Sequence, residues 1–222
     1  MGKHLRNAIN ILMEMLMSLS GKVENNVSMA FEALENMDSR IAEEVIKRDD
    51  EIDRNEILIE EECLKILALH QPVATDLRYI ITALKVNNDL ERIGDLAQDI
   101  SGHILNLINF PNHRNKINFQ SMYDTVLYML KNSINSMINI DEDLALDVIK
   151  KDDIVDDDNK KISLHMVKLL REDSENAGFY LQNIYISRRL ERIADLATNI
   201  AQDTIYLASG KIVRHYNENN EN

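Results

Sequence analysis

The sequence predicts an all-α protein built as two tandem antiparallel three-helix bundles, related by an internal pseudo-twofold repeat. Three observations carry that prediction. Only two prolines, Pro72 and Pro111, and six glycines serve 222 residues, which is too little punctuation for a many-stranded β protein or a Gly-rich nucleotide-binding α/β fold. Apolar residues recur at alternating steps of three and four, the seam of helix-on-helix packing. The second half of the chain also repeats the first, and with 45% apolar residues each half has enough material for a core.

The first helix shows the seam best: Leu5, Ile9, Leu12, Leu16, Leu19, Val23, Val27, Ala30, Leu34 and Met37. A second helix is expected from about Ile41 to His70, with Val45, Ile52, Ile59, Cys63 and Ile66 on one stripe. Pro72 then fits the first turn of a third helix, where a missing N–H costs nothing, and Val86, Ile93, Ala97, Ile100 and Ile104 face inward on that helix. Pro111 and the polar run Asn112 to Lys116 mark the break before a fourth helix carrying Leu127, Leu130, Ile134 and Met137. The expected units are residues 1–111, residues 117–216 and a polar, frayed tail over 217–222.

The repeat fills in the fifth and sixth helices. The segment Val45-Ile-Lys-Arg-Asp-Asp-Glu-Ile-Asp53 matches Val148-Ile-Lys-Lys-Asp-Asp-Ile-Val-Asp156, and Leu90-Glu-Arg-Ile-Gly-Asp-Leu-Ala97 matches Leu190-Glu-Arg-Ile-Ala-Asp-Leu-Ala197. The offset falls from 103 to 100 residues between the two matches, so the second copy has lost three residues near Glu172 to Ala177. Long helices with short connections imply antiparallel neighbours.

Charge narrows the function. With 38 acidic against 25 basic residues the formal charge is -13, which disfavours capture of nucleic-acid phosphates or anionic lipid. No apolar run reaches the roughly 18 residues of a membrane span, and Glu14 interrupts the stretch from Ile11 to Met17 as a signal core. Arg6 stands where a myristoylation site wants Ser or Thr. The single Cys63 suits a reducing compartment, and a cytoplasmic location is expected.

What both copies keep besides the seam is an acidic residue four positions before an aspartate: Asp49/Asp53, Glu91/Asp95, Asp152/Asp156 and Glu191/Asp195. Residues at that spacing stand about 5–6 Å apart on a helix, so each pair costs a few tenths of a kcal/mol in repulsion. Asp99 continues the stripe of Glu91 and Asp95, opposite the apolar face. The pairs hold register while neighbours drift, Glu51 becoming Ile154 and Asp99 becoming Asn199. A cation held by two helices, each contributing one pair, offsets the repulsion. By ligand type alone iron, magnesium, manganese or calcium precede a closed zinc site, although carboxylates also hold zinc. Local ion pairs with Arg92, Arg192, Lys47, Arg48, Lys150 and Lys151 are the competing explanation.

Other chemistry is absent. Met1, Leu67, Ile100, Phe110, Ile162 and Ile212 precede the six histidines by three, so the Glu-x-x-His pairs of a di-iron oxidase are missing. His70 and His103 read as helix-end and surface residues, and Cys63 as buried filler. Met29, Met37, Met129 and Met137 sit at seam spacing as core. There is no phosphate-cradling loop, nucleophile elbow or dinucleotide fingerprint, and no catalytic residue is assigned.

The stretch Ala68-Leu-His-Gln-Pro-Val-Ala-Thr-Asp-Leu-Arg78, followed by Ala83-Leu-Lys and Asp89-Leu-Glu-Arg-Ile-Gly-Asp95, resembles the signature of the PhoU family of phosphate-uptake regulators. The resemblance extends over nearly the whole chain, through Asp49 to Asp53, the opening helix with Gly21 and Val23-Glu24, and the second Leu-Glu-Arg-Ile-Ala-Asp. It implies two three-helix bundles whose acidic motifs hold multinuclear metal clusters. Here the ligands would be Asp49, Asp53, Glu91, Asp95 and Asp99, then Asp152, Asp156, Glu191 and Asp195. Iron or zinc is the metal expected first, with magnesium or manganese behind. The resemblance implies an adaptor without catalysis, joining a phosphate ABC transporter at its cytoplasmic face to a sensor histidine kinase and restraining uptake and starvation signalling. A homodimer is expected, with no nucleic acid bound and membrane association only through partners. The second copy departs in lacking the Gln-Pro-Val-Ala-Thr-Asp turn and in carrying Asn199 opposite Asp99. Two other classes stay open: a carboxylate-bound metalloenzyme of phosphoester hydrolase type, and a metal-free helical scaffold.

Overall fold

Each half of the chain folds as three long helices, in a computed structural model that describes residues 3–110 and 117–210. The break expected at Pro111 to Lys116 and the tail at 217–222 lie outside the described residues. The helices are α1 (Lys3–Asn36), α2 (Ser39–His70), α3 (Ala74–Leu107), α4 (Gln120–Asn139), α5 (Glu142–Glu172) and α6 (Ala177–Ser209), with a 3-10 turn at Ser174–Asn176 before the last. The described residues contain no strand.

The seam packs much as its spacing requires. Ile9, Leu12, Leu16, Leu19, Val23, Val27, Ala30 and Leu34 are buried along α1, and Val45, Ile52, Ile59, Cys63 and Ile66 along α2. Each such Leu or Ile contributes about 1.5–3 kcal/mol by leaving water. Three positions differ. Met37 is 38% exposed because it follows the last residue of α1, at φ +50. Leu127 is only half-buried, since the inward stripe of α4 runs one position away through Met122, Val126, Met129, Leu130, Ile134 and Met137. Pro72 lies before α3 rather than in its first turn: Gln71 closes α2 at φ +45 and Val73 is extended, so the helix begins only at Ala74.

The repeat reaches further than its sequence motifs. Asp38 caps α2 by accepting from the Arg40 N–H, and Asp141, 103 residues on, caps α5 by accepting from the Leu144 N–H. The turns before them coincide too. Asp38 N donates to Ala33 O and Asp141 N to Ser136 O, while Met37 and Ile140 both hold φ near +50. This is the αL helix end usually given to glycine. Between the second and third helices of each bundle, Asn87 donates to the Glu56 carbonyl at 2.9 Å, and at the equivalent positions Ser187 donates to Asn159 at 2.8 Å. The three missing residues fall where Gln71–Val73 would be, and Asp173 organises the shortened turn by accepting from Asn176 and the Tyr180 hydroxyl.

The bundles join along α3 and α6, which run antiparallel, with α1 against α4 beside them. Lys85 Nζ meets Asp203 Oδ1 at 3.1 Å, Arg189 Nε meets Asp99 Oδ2 at 3.0 Å, and His103 stacks on Tyr185. The last contact occupies the pseudo-symmetric position of the first, 100 residues displaced. His103 therefore belongs to the inter-bundle contact, where its Nδ1 also lies 2.7 Å from Gln182 Oε1. Phe31 stacks flat on Tyr123 at 3.7 Å between α1 and α4. One apolar core runs through both halves.

Candidate metal centre

The buried stripe of α2 carries its acids with it. Ile52 is in the core, so Asp49, three residues before it, lies against the α2–α3 seam while Asp53 stands at its edge. On α3, burial of Leu90, Ile93, Gly94 and Ala97 turns Glu91 and Asp95 toward the same edge. Carboxylate oxygens of Asp49, Asp53 and Asp95 consequently all lie within 4.8 Å of one another. Asp49 is 3% exposed and its Oδ1 has no hydrogen-bond partner. Asp53 and Asp95 reach solvent.

The electrostatics follow from this crowding. Burial, then the charges of Asp53, Asp95 and Glu91, push the Asp49 carboxyl up to about 7. Burial also raises Glu91 and Asp95, followed by Asp95 and Asp53 acting on Glu91 and by Asp53 and Asp99 acting on Asp95. Arg92 draws both down without forming an ion pair with either. Among the described residues no cation pairs with Asp49, Asp53, Glu91 or Asp95. Arg48 pairs with Glu44 instead, and Lys151 sits over the Tyr128 ring. Among the described residues the first bundle's acids therefore have no salt bridge, and the charge of Arg92 is a partial relief that acts on Glu91 and Asp95.

The second bundle places Asp152, Asp156, Glu191 and Asp195 at equivalent positions in a looser arrangement. Asp152 is half-buried and pushed up to about 6 by burial and then by Asp195 and Asp156, with the Thr198 hydroxyl pulling the other way. Burial raises Asp156 and Glu191 as well. Here a cation does engage: Arg192 Nη1 lies 2.9 Å from Asp195 Oδ2. Three acids within mutual reach are found among the described residues only in the first bundle. Asp99 is held by Arg189 of the other bundle and is not one of the three converging acids, although its charge still reaches Asp95.

An all-oxygen donor set with a desolvated, unpartnered carboxylate oxygen fits a hard cation, which would offset the charge that burial penalises. Two contributors escaped the sequence reading. Arg189 pairs across bundles, and no local pattern could show that. Gly94 is different: a Cβ built on it would lie 3.0 Å from Asp49 Oδ1 and 3.1 Å from Ile52. A glycine inside a helix is itself a signal of close approach.

Cys63 is buried, its thiol pushed up to about 12 by desolvation, and is inert filler. No helix among the described residues is long and apolar enough to cross a membrane.

The family model for the PhoU domain matches the chain twice, at residues 16–104 and 119–204, which coincide with the two bundles. A Thermotoga maritima protein named phosphate-specific transport system accessory protein PhoU homolog 1 is 34% identical over 219 residues, covering 96% of this chain and 92% of that one. The Escherichia coli phosphate-specific transport system accessory protein PhoU is 30% identical, covering 97% and 91%. The crystal structure of PhoU from Pseudomonas aeruginosa superposes with a TM-score of 0.89 at 35% identity, covering 93% of this chain and 99% of that one. Repeated domain, helix order and near full-length coverage agree: the chain belongs to the PhoU family.

Proposed function

We propose that the protein is a metal-binding cytoplasmic regulator of phosphate uptake and phosphate-starvation signalling, an adaptor between a phosphate ABC transporter and a sensor histidine kinase and not an enzyme. Family membership supports the transport role, since relatives bear the name phosphate-specific transport system accessory protein, and a Streptococcus pneumoniae structure 28% identical to this chain is described as a phosphate transport system regulatory protein. The observation that carries the metal part is Asp49: buried, crowded by acids and without a partner for Oδ1.

Asp49, Asp53, Glu91 and Asp95 would hold metal in the first bundle, and Asp152, Asp156, Glu191 and Asp195 in the second, with iron or zinc first and magnesium or manganese behind. The bound ions would neutralise the acidic edges and tie the second helix of each bundle to the third. Asp49 supplies the inner anchor from α2, Glu91 and Asp95 hold the α3 side, and the ion pair of Asp99 with Arg189 keeps the bundles in one register. The resulting rigid platform is the surface offered to protein partners, in a homodimer. Its units are residues 1–111 and 117–216.

The test is metal analysis of untagged protein, beside a variant with Glu91→Ala, Asp95→Ala, Glu191→Ala and Asp195→Ala. Melting and pull-down with the transporter's ATPase subunit and the kinase's cytoplasmic domain are followed on both. Wild type should hold several ions per chain and retain both partners; the folded variant should lose the ions and the partners. Equal metal content and equal pull-down in the two forms would refute the proposal.

A further inference from the structure

The two halves present equivalent acids, yet among the described residues three carboxylates converge in one half only. We infer that a single methyl group sets this difference: Gly94 is a positioning residue that leaves room for the Asp49 carboxylate beneath α3, and Ala194 closes the same space beneath α6, so the first bundle is the tighter metal site. The inference rests on the metal-binding reading above and names the residue that ranks the two sites.

Gly94 is buried in the interior of α3, far from either end. Glycine there costs about 1 kcal/mol relative to alanine, and its φ is not positive, so conformational freedom is no reason for it. Close approach is. A Cβ would come within 3.0 Å of Asp49 Oδ1 and 3.1 Å of the Cδ1 and Cγ2 atoms of Ile52, distances that oblige the neighbours to shift. In the second copy the offset of 100 puts Ala194, fully buried, at the position of Gly94. The offset of 103 puts Asp152 at that of Asp49 and Val155 at that of Ile52. Asp152 exposes more of its surface to solvent than Asp49 does.

The exchange of Ile52 and Gly94 for Val155 and Ala194 nearly conserves volume. Packing alone would therefore explain Gly94 as room for Ile52. That explanation and the positioning role part company in one variant. Ile52→Val with Gly94→Ala installs the second copy's own apolar pair in the first bundle, which is known to pack in this fold, while the added methyl still faces Asp49.

The experiment uses the full chain and Mn2+ as probe, in competition with a fluorescent chelator. The second site is silenced by Asp156→Asn and Asp195→Asn, or the first by Asp53→Asn and Asp95→Asn. Gly94→Ala, alone and with Ile52→Val, should weaken Mn2+ at the first site about ten-fold or more, the scale of lost ligand support, even though the double variant melts like wild type without metal. Ala194→Gly should tighten the second site. Should the double variant recover wild-type affinity along with stability, or Ala194→Gly leave the second site unchanged, the positioning role is refuted and Gly94 serves Ile52 alone. Absence of Mn2+ binding in the otherwise wild-type background would instead overturn the metal reading itself.

Discussion

Asp49→Asn should make the metal-free protein more stable above neutral pH and remove part of its pH dependence. The carboxyl sits at about 7 in the folded chain against 3.8 in the unfolded one, so the folded state keeps a proton that the unfolded state releases. Because the folded value is the higher one, stability is fully present below about pH 4, declines as pH climbs toward 7, and levels off beyond it. A shift of roughly three units at about 1.4 kcal/mol each sets an upper bound of about 4 kcal/mol on the loss. Water reaching the edge of the site through Asp53 and Asp95 brings the expected value nearer 2 kcal/mol. Urea unfolding of chelator-treated wild type and Asp49→Asn between pH 4.5 and 8 measures it. Glu91, Asp95, Asp152, Asp156 and Glu191 are raised too, so both proteins lose stability with pH, and the readout is the difference between them. The variant should gain on wild type by about 2 kcal/mol across that range. A difference that stays flat would refute the claim that Asp49 ionises against its surroundings.

Two further outcomes follow from packing. Ile140, half-exposed, is a β-branched residue held at φ +52 where glycine is preferred, so Ile140→Gly should raise stability by about 0.5–1 kcal/mol in urea unfolding. Lys85, 37% exposed, meets an Asp203 side chain that is 4% exposed across the bundle interface; Lys85→Met should cost about 1 kcal/mol by removing one charge-assisted hydrogen bond to that carboxylate. Adding Asp203→Asn should return most of that loss, and a double-mutant cycle with no coupling would show that the pair does not hold the bundles together.

Helix number, the stripes of α1, α2 and α3 and the tandem repeat were legible in the amino-acid order. Seam spacing is a local property of a helix, and duplication preserves it. The turn at Met37 and Ile140 was not legible, because neither residue favours the αL conformation; tertiary packing of the flanking helices imposes it. Pro72 misled for a related reason: Gln71 and Val73 complete the connection before α3 can start.

The acidic pairs themselves were set by sequence, since i to i+4 spacing puts two carboxylates on one helix face whatever surrounds them. Which acids meet is a tertiary matter. Asp49 converges with Asp53 and Asp95 where α2 packs on α3, with Gly94 beside the Asp49 carboxylate. Asp99 extends the same stripe on paper, but α6 brings Arg189 to it from the other bundle. Arg92 and Arg192 hold equivalent places in the chain, and only the second closes on its aspartate. Spacing along one helix decides which side chains share a face; the distance between helices, and the single atoms that set it, decides which of those faces gathers its charges into a site.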